Sequence, residues 1–324
     1  MERYEIQTVD MHACGEPCRI VAGGLPEIKG GTMREKREYL RRHYDFIRTS
    51  LMLEPRGHQN MFGAFLLPPC RKEADFGVLF MFGSNYEDMC GHGTICIATM
   101  LVERGLVQVS EPATVIRLDT PAGLVEATVE VREGRPRQVS LVNVPSFVYA
   151  RQVLIPTAAH GEVRADIVYA GNPFLLVDAG LIGEIAPENA GRFIAAGMDI
   201  IAGAKTACRF VHPRLGELPL VITEFYQGDR NVVIFGKGQI DRSPCGTGTS
   251  ARVTLLHDQG RLGLNEDFRH RSIVDTVMMG RIIGETQEGE FAAYNTRISG
   301  QGTIVADCRF YINEDDPLYR GFVL

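Results

Sequence analysis

The chain has 324 residues, of which 45% are hydrophobic and 23% are charged. This composition is typical of a globular protein, and the length favours two domains over one. The formal net charge of −6, without any basic run, gives no reason to expect a nucleic acid or an anionic membrane as partner.

The N-terminal segment has no apolar core of the kind that signal peptides carry, and no apolar stretch approaches the roughly 18 residues of a membrane helix. We therefore expect a cytoplasmic protein without membrane contacts. The eight cysteines form no CxxC pair, so neither a disulfide framework nor a zinc ribbon is predicted. Cys14 and Cys18, which lie near His12, are interpreted as buried or edge-strand residues, and no metal site is expected.

The first half of the chain predicts a helix followed by a strand–turn–helix segment. The charged stretch 34–48 favours a helix with its apolar side chains on one side. Residues 78–82 form a short apolar run that predicts a buried strand. After a polar loop, the sequence Cys90-Gly91-His92-Gly93-Thr94 begins a second helix, for which Gly105 is the predicted C-terminal cap.

The middle of the chain predicts further strands and one helix. Residues 113–117 and 123–131 are expected to be strands joined by a turn at Pro121-Ala122-Gly123. Residues 187–196 are expected to be helical, with Pro187 at the first helical position.

The second half repeats the strand–turn–helix segment of the first. Residues 232–235 predict a strand, Cys245-Gly246-Thr247-Gly248-Thr249 matches the earlier cysteine–glycine turn, and residues 250–256 predict a helix. Gly260 follows Cys245 by 15 positions, just as Gly105 follows Cys90. We interpret this as an old duplication with two α/β domains, residues 1–146 and 147–301. Residues from about Gly302 predict a strand, and residues 302–324 could return to the first domain.

Two cysteines in such turns suggest acid–base chemistry. The first N–H groups of a helix lack intrahelical acceptors, and the helix dipole is positive there, so both effects are expected to lower a cysteine pKa. The same N–H groups can hold a carboxylate. Paired thiols can invert a carbon centre, because one removes a proton and the other delivers a proton to the opposite face. Their titrations should then be coupled.

The residues around both cysteines resemble the signature motifs of the proline racemase family. These are Met89-Cys90-Gly91-His92-Gly93-Thr94-Ile95 and Asp241-Arg242-Ser243-Pro244-Cys245-Gly246-Thr247-Gly248-Thr249-Ser250-Ala251. The resemblance covers nearly the whole chain. It implies a diaminopimelate epimerase-like α/β fold with two pseudo-symmetric domains and an active site in the cleft between them. It also implies an isomerase that uses neither pyridoxal phosphate nor a metal.

The resemblance assigns roles to particular residues. Cys90 and Cys245 are expected to be the two catalytic acid–base residues. The N–H groups of Gly91 and His92, and those of Gly246 and Thr247, are expected to bind the substrate carboxylate. Asp241 and His92 should lie near the ring nitrogen of a small cyclic imino acid. Relatives of this kind also suggest a homodimer.

The substrate is a harder prediction. At position 62 the chain carries phenylalanine and resembles the proline racemases. Ile222 is apolar where hydroxyproline epimerases often carry histidine, so both residues favour proline. An apolar wall would leave a ring hydroxyl unpaired, at a cost of about 1–3 kcal/mol. Pro173 and the loop of residues 84–88 depart from the family pattern and could change the ring that is accepted.

Three alternatives to a proline racemase stay open. A 4-hydroxyproline 2-epimerase would use the same two thiols on a different ring. A 3-hydroxyproline dehydratase is less favoured, because such relatives commonly replace the second cysteine with threonine. A non-catalytic imino-acid binding protein would need a lost or inert thiol, and both Cys90 and Cys245 are present.

Overall fold

The computed structural model describes residues 3–324, which pack into two compact units. The first unit contains the described residues up to Ser140 together with Gln301–Leu324, and the second contains Leu141–Gly300. Among the described residues, no helix combines the length and the apolar character that crossing a lipid bilayer requires.

Strands and helices are numbered in chain order. The strands are β1 (Arg3–Ala13), β2 (Glu16–Gly23), β3 (Phe62–Leu67), β4 (Phe76–Phe82), β5 (Tyr86–Glu87), β6 (Ala113–Thr120), β7 (Gly123–Arg132), β8 (Arg135–Val142), β9 (Ser146–Thr157), β10 (Gly161–Tyr169), β11 (Pro173–Asp178), β12 (Phe210–His212), β13 (Gly216–Leu218), β14 (Ile222–Gln227), β15 (Arg230–Phe235), β16 (Gln239–Asp241), β17 (Asp267–Arg271), β18 (Val277–Glu288), β19 (Phe291–Gly300) and β20 (Gly302–Asn313). The α-helices are α1 (Met33–His43), α2 (Asp45–Met52), α3 (Gly91–Glu103), α4 (Ala190–Ala207) and α5 (Gly246–Asp258).

The first unit is a sheet wrapped around α3. β1 pairs antiparallel with both β20 and β2, so the end of the chain forms a strand beside its beginning. The sheet continues from β2 to β3, β4, β6 and β7. α3 packs against β1, β2, β3, β7 and β20. Every residue from His92 to Val102 is therefore buried, and the helix is apolar on all sides.

The second unit is a closed barrel with α5 at its centre. The strands pair in the circular order β9, β10, β11, β14, β15, β17, β18, β19 and back to β9. α5 packs against β9, β10, β11, β18 and β19, and its residues from Gly248 to Leu256 are all buried. Both helices that follow the cysteine turns thus form the cores of their own units.

Two helix predictions need correction. The predicted helix over residues 34–48 is two helices, because the chain leaves helical geometry at Tyr44, where φ is −138°. This break allows Leu40 of α1 and Ile47 and Leu51 of α2 to be fully buried together.

The predicted helix over residues 187–196 begins too early and ends too early. Pro187 lies in a short 3₁₀ turn, and α4 continues to Ala207. It does so because Ile200 and Ala204 continue the buried stripe that Phe193 and Ala196 begin. The strands predicted over residues 113–117 and 123–131 are confirmed as β6 and β7.

Candidate functional site: two thiol turns

The first thiol turn, residues 89–94, leads from β5 into α3. Cys90 is the residue before the helix and has extended backbone, with φ of −142°. Thr94 donates its backbone N–H and its Oγ1–H to the carbonyl of Cys90, at 3.0 and 2.8 Å. At the far end, Gly105 has φ of +62°, a left-handed conformation that glycine adopts without strain. The predicted helix and its glycine cap are confirmed.

Three of the residues singled out in the first half of the sequence are in contact. The Sγ of Cys90 lies 3.3 Å from Nδ1 of His92. The ring of Phe62 meets the His92 ring edge-on, with 4.8 Å between the ring centres. Gly91, the first residue of α3, lies between the thiol and the imidazole in the chain. The first thiol turn therefore presents a thiol, an imidazole and an aromatic wall side by side.

The second thiol turn, residues 244–249, leads from β16 into α5. Cys245 is again the residue before the helix, but its φ is +60°. This conformation costs a residue with a side chain about 1–3 kcal/mol and persists where neighbouring contacts hold it. Thr249 N–H donates to the Cys245 carbonyl at 2.7 Å, and Gly248 N–H donates to Sγ at 3.3 Å. Gly260 ends the helix with φ of +68°.

Asp241 and Thr247 both belong to the surroundings of Cys245. Asp241 is buried, and its Oδ1 accepts hydrogen bonds from the backbone and the hydroxyl of Ser243, each at 2.8 Å. The Ser243 Oγ accepts in turn from the backbone N–H of Cys245 at 3.0 Å. The Thr247 Oγ1 lies 3.5 Å from the Cys245 Sγ, and Gly246 is the first residue of α5. Asp241 thus fixes the turn through Ser243.

The expected lowering of the thiol pKa is wrong for Cys245. Burial raises the pKa of Cys245 well above its ordinary value, and the nearby Asp241 carboxylate raises it further. The hydrogen bonds from Thr247 and the Gly248 N–H act in the opposite direction but are too weak to reverse the shift. Burial also raises the pKa of Asp241, against the hydrogen bonds from Ser243. At neutral pH, Cys245 is therefore a protonated thiol.

Ile222, the second apolar residue expected to line the substrate ring, lies near the second thiol turn. Ile222 and Cys245 pack against the same buried cluster, which includes Phe174 and Leu176. A side chain at Gly171 would begin 3.6 Å from the methyl group of Thr247. The segment that contains Pro173, which departs from the family pattern, is therefore close to the turn.

A buried group of polar residues behind the second thiol turn was missed by the sequence analysis. We call Glu224, Asn231, Thr249 and His270 the buried polar network. The Asn231 Nδ2 donates to Glu224 Oε1 at 3.0 Å and to the Pro244 carbonyl at 2.7 Å. The His270 Nδ1 lies 3.0 Å from Thr249 Oγ1, and its Nε2 lies 3.8 Å from Glu224 Oε1. All four side chains are fully buried.

Burial changes the titration of this network. It raises the pKa of Glu224 to about 8, with a smaller contribution from Asp241, while Asn231 and Arg252 oppose the shift. Burial also lowers the pKa of His270 to about 3, and Arg252 adds to this effect. A glutamate in the middle of β14, directly before Phe225, could have indicated a functional position.

The chain is similar to proteins of known family and activity over nearly its whole length. The model of the family described as proline racemase matches residues 8–323. The proline racemase of Clostridioides difficile is 42% identical over 328 residues, which cover 98% of each chain. The 4-hydroxyproline 2-epimerase of Streptosporangium roseum is 39% identical and covers 98% of this chain and 97% of its own.

Solved structures lead to the same group of proteins. A hydroxyproline epimerase from Agrobacterium vitis, solved with bound trans-4-hydroxy-L-proline, superimposes with a TM-score of 0.88 at 33% identity. The match covers 99% of this chain and 95% of that one. The predicted α/β fold with two pseudo-symmetric domains is confirmed.

Proposed function

We propose that this chain, which belongs to the proline racemase family, inverts the α-carbon of proline or a related free cyclic imino acid, using Cys90 and Cys245 as its acid–base thiols. It is an amino-acid racemase or epimerase of the type that works without pyridoxal phosphate. The observation that carries the proposal is the repeated placement of a thiol at the start of a buried central helix.

The proposed reaction needs only proton transfers. One cysteine, as thiolate, removes the α-proton, and the electron pair of the broken C–H bond spreads into the carboxylate. The other cysteine, as thiol, delivers its proton to the opposite face of the carbon. The raised pKa of Cys245 makes it the proton donor of the resting enzyme. Catalysis in the reverse direction requires the two cysteines to exchange roles.

The remaining predicted residues take binding roles in this proposal. The N–H groups of Gly91 and His92, and those of Gly246 and Thr247, hold the substrate carboxylate. Helix N-termini bind anions well, and they stabilise the negative charge that develops on the carboxylate oxygens. Asp241 and His92 contact the ring nitrogen.

We also propose that each domain contributes one thiol. Residues 1–146 with the returning residues 302–324 form the domain of Cys90, and residues 147–301 form the domain of Cys245. The homodimer and the cytoplasmic location expected from the sequence stay predictions.

Proline is the substrate that Phe62 and Ile222 favour, because neither side chain offers a hydrogen bond to a ring hydroxyl. 4-Hydroxyproline is the second candidate. It is supported by the 39% identity with the 4-hydroxyproline 2-epimerase of Streptosporangium roseum. Dehydration of a 3-hydroxyproline is disfavoured because Cys245 is present. Imino-acid binding without catalysis is disfavoured because both thiols are present.

A substrate panel in D₂O tests the proposal. The L and D forms of proline, 4-hydroxyproline and 3-hydroxyproline are incubated with the enzyme, and α-deuterium uptake and optical rotation are followed. We expect exchange with inversion, fastest for proline. Formation of a cyclic imine from 3-hydroxyproline, detected with aminobenzaldehyde, would instead show a dehydratase. Binding without exchange of any imino acid would contradict the enzymatic proposal.

A further inference from the structure

Glu224 and Cys245 approach each other at the first turn of α5. A side chain at Gly248 would begin 2.8 Å from Oε2 of Glu224 and 3.3 Å from Sγ of Cys245. The carboxyl and the thiol therefore flank the same point on the helix, where only glycine leaves room for both. The Glu224 Oε2 is buried without a hydrogen-bond partner among residues 3–324.

The buried polar network also connects Glu224 to the backbone of the second thiol turn. Asn231 donates to Glu224 and to the Pro244 carbonyl with the same amide nitrogen. The Pro244 carbonyl accepts a second hydrogen bond from Thr249 Oγ1, at 3.3 Å. These contacts fix the peptide directly before Cys245. They explain how that residue keeps a positive φ, which needs support from its surroundings.

The charges that face Glu224 do not neutralise it by a direct ion pair. The nearby groups are the Asp241 carboxylate, the neutral His270 imidazole and the Arg252 guanidinium. Arg252 is buried over the ring of Tyr226, with 3.8 Å between its Cζ and the ring centre. Its Nε and Nη1 atoms find no hydrogen-bond partner in the described part of the chain. Cys245 in turn faces Asp241, Glu224, Thr247 and the Gly248 N–H.

We propose that Glu224 is a positioning residue for Cys245: it holds the second thiol turn through Asn231, and its negative charge in alkaline solution extends the pH range over which Cys245 stays a thiol. This inference rests on the proposed function, in which Cys245 donates a proton. Glu224 acts through the cysteine and needs no contact with the substrate.

The sign of the effect follows from the charges. With a pKa of about 8, Glu224 is mostly protonated at neutral pH and becomes negative as the solution turns alkaline. A negative charge near Sγ disfavours the thiolate, so the pKa of Cys245 rises further as Glu224 ionises. Cys245 consequently keeps its proton to a higher pH than it would beside a neutral group.

The test is the pH titration of Cys245 in the substrate-free enzyme. Its rate of alkylation by iodoacetamide is measured across pH by mass spectrometry of the peptide that contains it. In Glu224→Gln, which preserves an oxygen acceptor for Asn231, we expect the alkylation midpoint to fall by about one pH unit. Glu288→Gln removes another buried carboxylate of the same unit, the partner of Arg214, and should leave the midpoint unchanged.

An unchanged midpoint in a folded Glu224→Gln protein overturns the inference. If circular dichroism shows that this variant does not fold, Glu224→Met, which leaves no unpaired polar atom at the buried position, is measured in the same way. It also removes the negative charge near Cys245, so the midpoint should again fall, and an unchanged midpoint overturns the inference equally. Because alkylation needs no substrate, failure of the proposed reaction is recognised separately, by the lack of α-proton exchange in the unmodified enzyme.

Discussion

The two thiol turns share a backbone plan but differ in what surrounds the sulfur. In each, a cysteine precedes a central helix, and the threonine four positions later donates its backbone N–H to the cysteine carbonyl. In each, a glycine in the left-handed conformation ends the helix. The two turns therefore share the parts that place a thiol beside the first N–H groups of a helix.

The two turns differ in the side chain that packs against their glycine. A side chain at Gly93 would begin 2.7 Å from the ring of Phe80, whereas one at Gly248 would begin 2.8 Å from the carboxyl of Glu224. Cys90 has ordinary extended backbone and an imidazole neighbour, while Cys245 has a positive φ and two carboxyl neighbours. The two turns thus place two thiols with different chemical neighbours on the same backbone plan.

The largest expected effect comes from removing either thiol. Cys90→Ser and Cys245→Ser should each lower the rate of inversion by about 10³-fold, because a serine hydroxyl is a poor acid and base at neutral pH. Chiral chromatography of proline measures inversion, and deuterium uptake from D₂O measures exchange. Each single-thiol enzyme should still exchange the α-proton of one enantiomer, and the two variants should act on opposite enantiomers.

Cys208→Ser is the matched control, because Cys208 ends α4 and belongs to neither turn. It should keep the inversion rate of the unmodified enzyme. Inversion that survives in Cys90→Ser or Cys245→Ser would contradict the two-thiol proposal. Exchange of the same enantiomer by both variants would contradict the assignment of one thiol to each face.

The sequence around each cysteine was sufficient to predict the secondary structure of each thiol turn. The strands β4 and β15, the cysteine at the helix start and the glycine cap depend on residues within about one helix length of each other. The short strands β5 and β16, which lie directly before the turns, fall in segments that were expected to be loops. Burial of α5 on all sides was not predicted, because Thr249, Ser250 and Arg252 are among its buried residues. Phe62 and Ile222 were found from the family resemblance; Phe62 lies against His92, and Ile222 packs on the same buried cluster as Cys245.

The environment of Cys245 could not be predicted in this way. Glu224, Asn231 and His270 lie on three different strands, β14, β15 and β17, and the pairing of those strands brings them together. The thiol pKa depends on this tertiary burial, so an argument from the helix dipole alone gave the wrong direction. Similarly, the end of α4 is set by the packing of Ile200 and Ala204 and not by a capping motif.

Alanine substitutions at Gly248 and Gly93 test whether the two turn glycines have different environments. Gly248→Ala should displace the thiol or Glu224 and lower the inversion rate by about 10²-fold, since small misplacements of reacting groups are costly. Gly93→Ala should press on the Phe80 ring, with a loss of about 1–3 kcal/mol in the free energy of unfolding. Adding Phe80→Leu should restore the stability of Gly93→Ala. Full activity of Gly248→Ala would show that the close contact is unimportant.

A smaller effect is expected from Asp241, which raises the pKa of Cys245 from the other side. Asp241→Asn keeps an acceptor for Ser243 but removes the charge, so the alkylation midpoint of Cys245 should fall by about one pH unit. Asp267→Asn, at an exposed ion pair with Arg281 in the same unit, serves as control. A midpoint that shifts equally in both variants would mean that the effect is a general one of net charge.

The smallest expected effect is on stability, and it tests whether the buried carboxyl distinguishes the second turn. The folded protein raises the pKa of Glu224 from 4.5 to about 8, so between these values the folded state binds a proton that the unfolded state has released. This contribution to stability is complete below pH 4.5 and is lost as the pH rises toward 8. His270, whose pKa falls from 6.5 to about 3, acts in the opposite direction, but only below pH 6.5.

Urea unfolding between pH 6.5 and 8 should therefore show the unmodified enzyme losing stability relative to Glu224→Gln. Thr223→Val, a buried and non-titrating change on the same strand, should differ from the unmodified enzyme by a constant amount over that range. A constant difference for Glu224→Gln as well would mean that Glu224 does not titrate in this window.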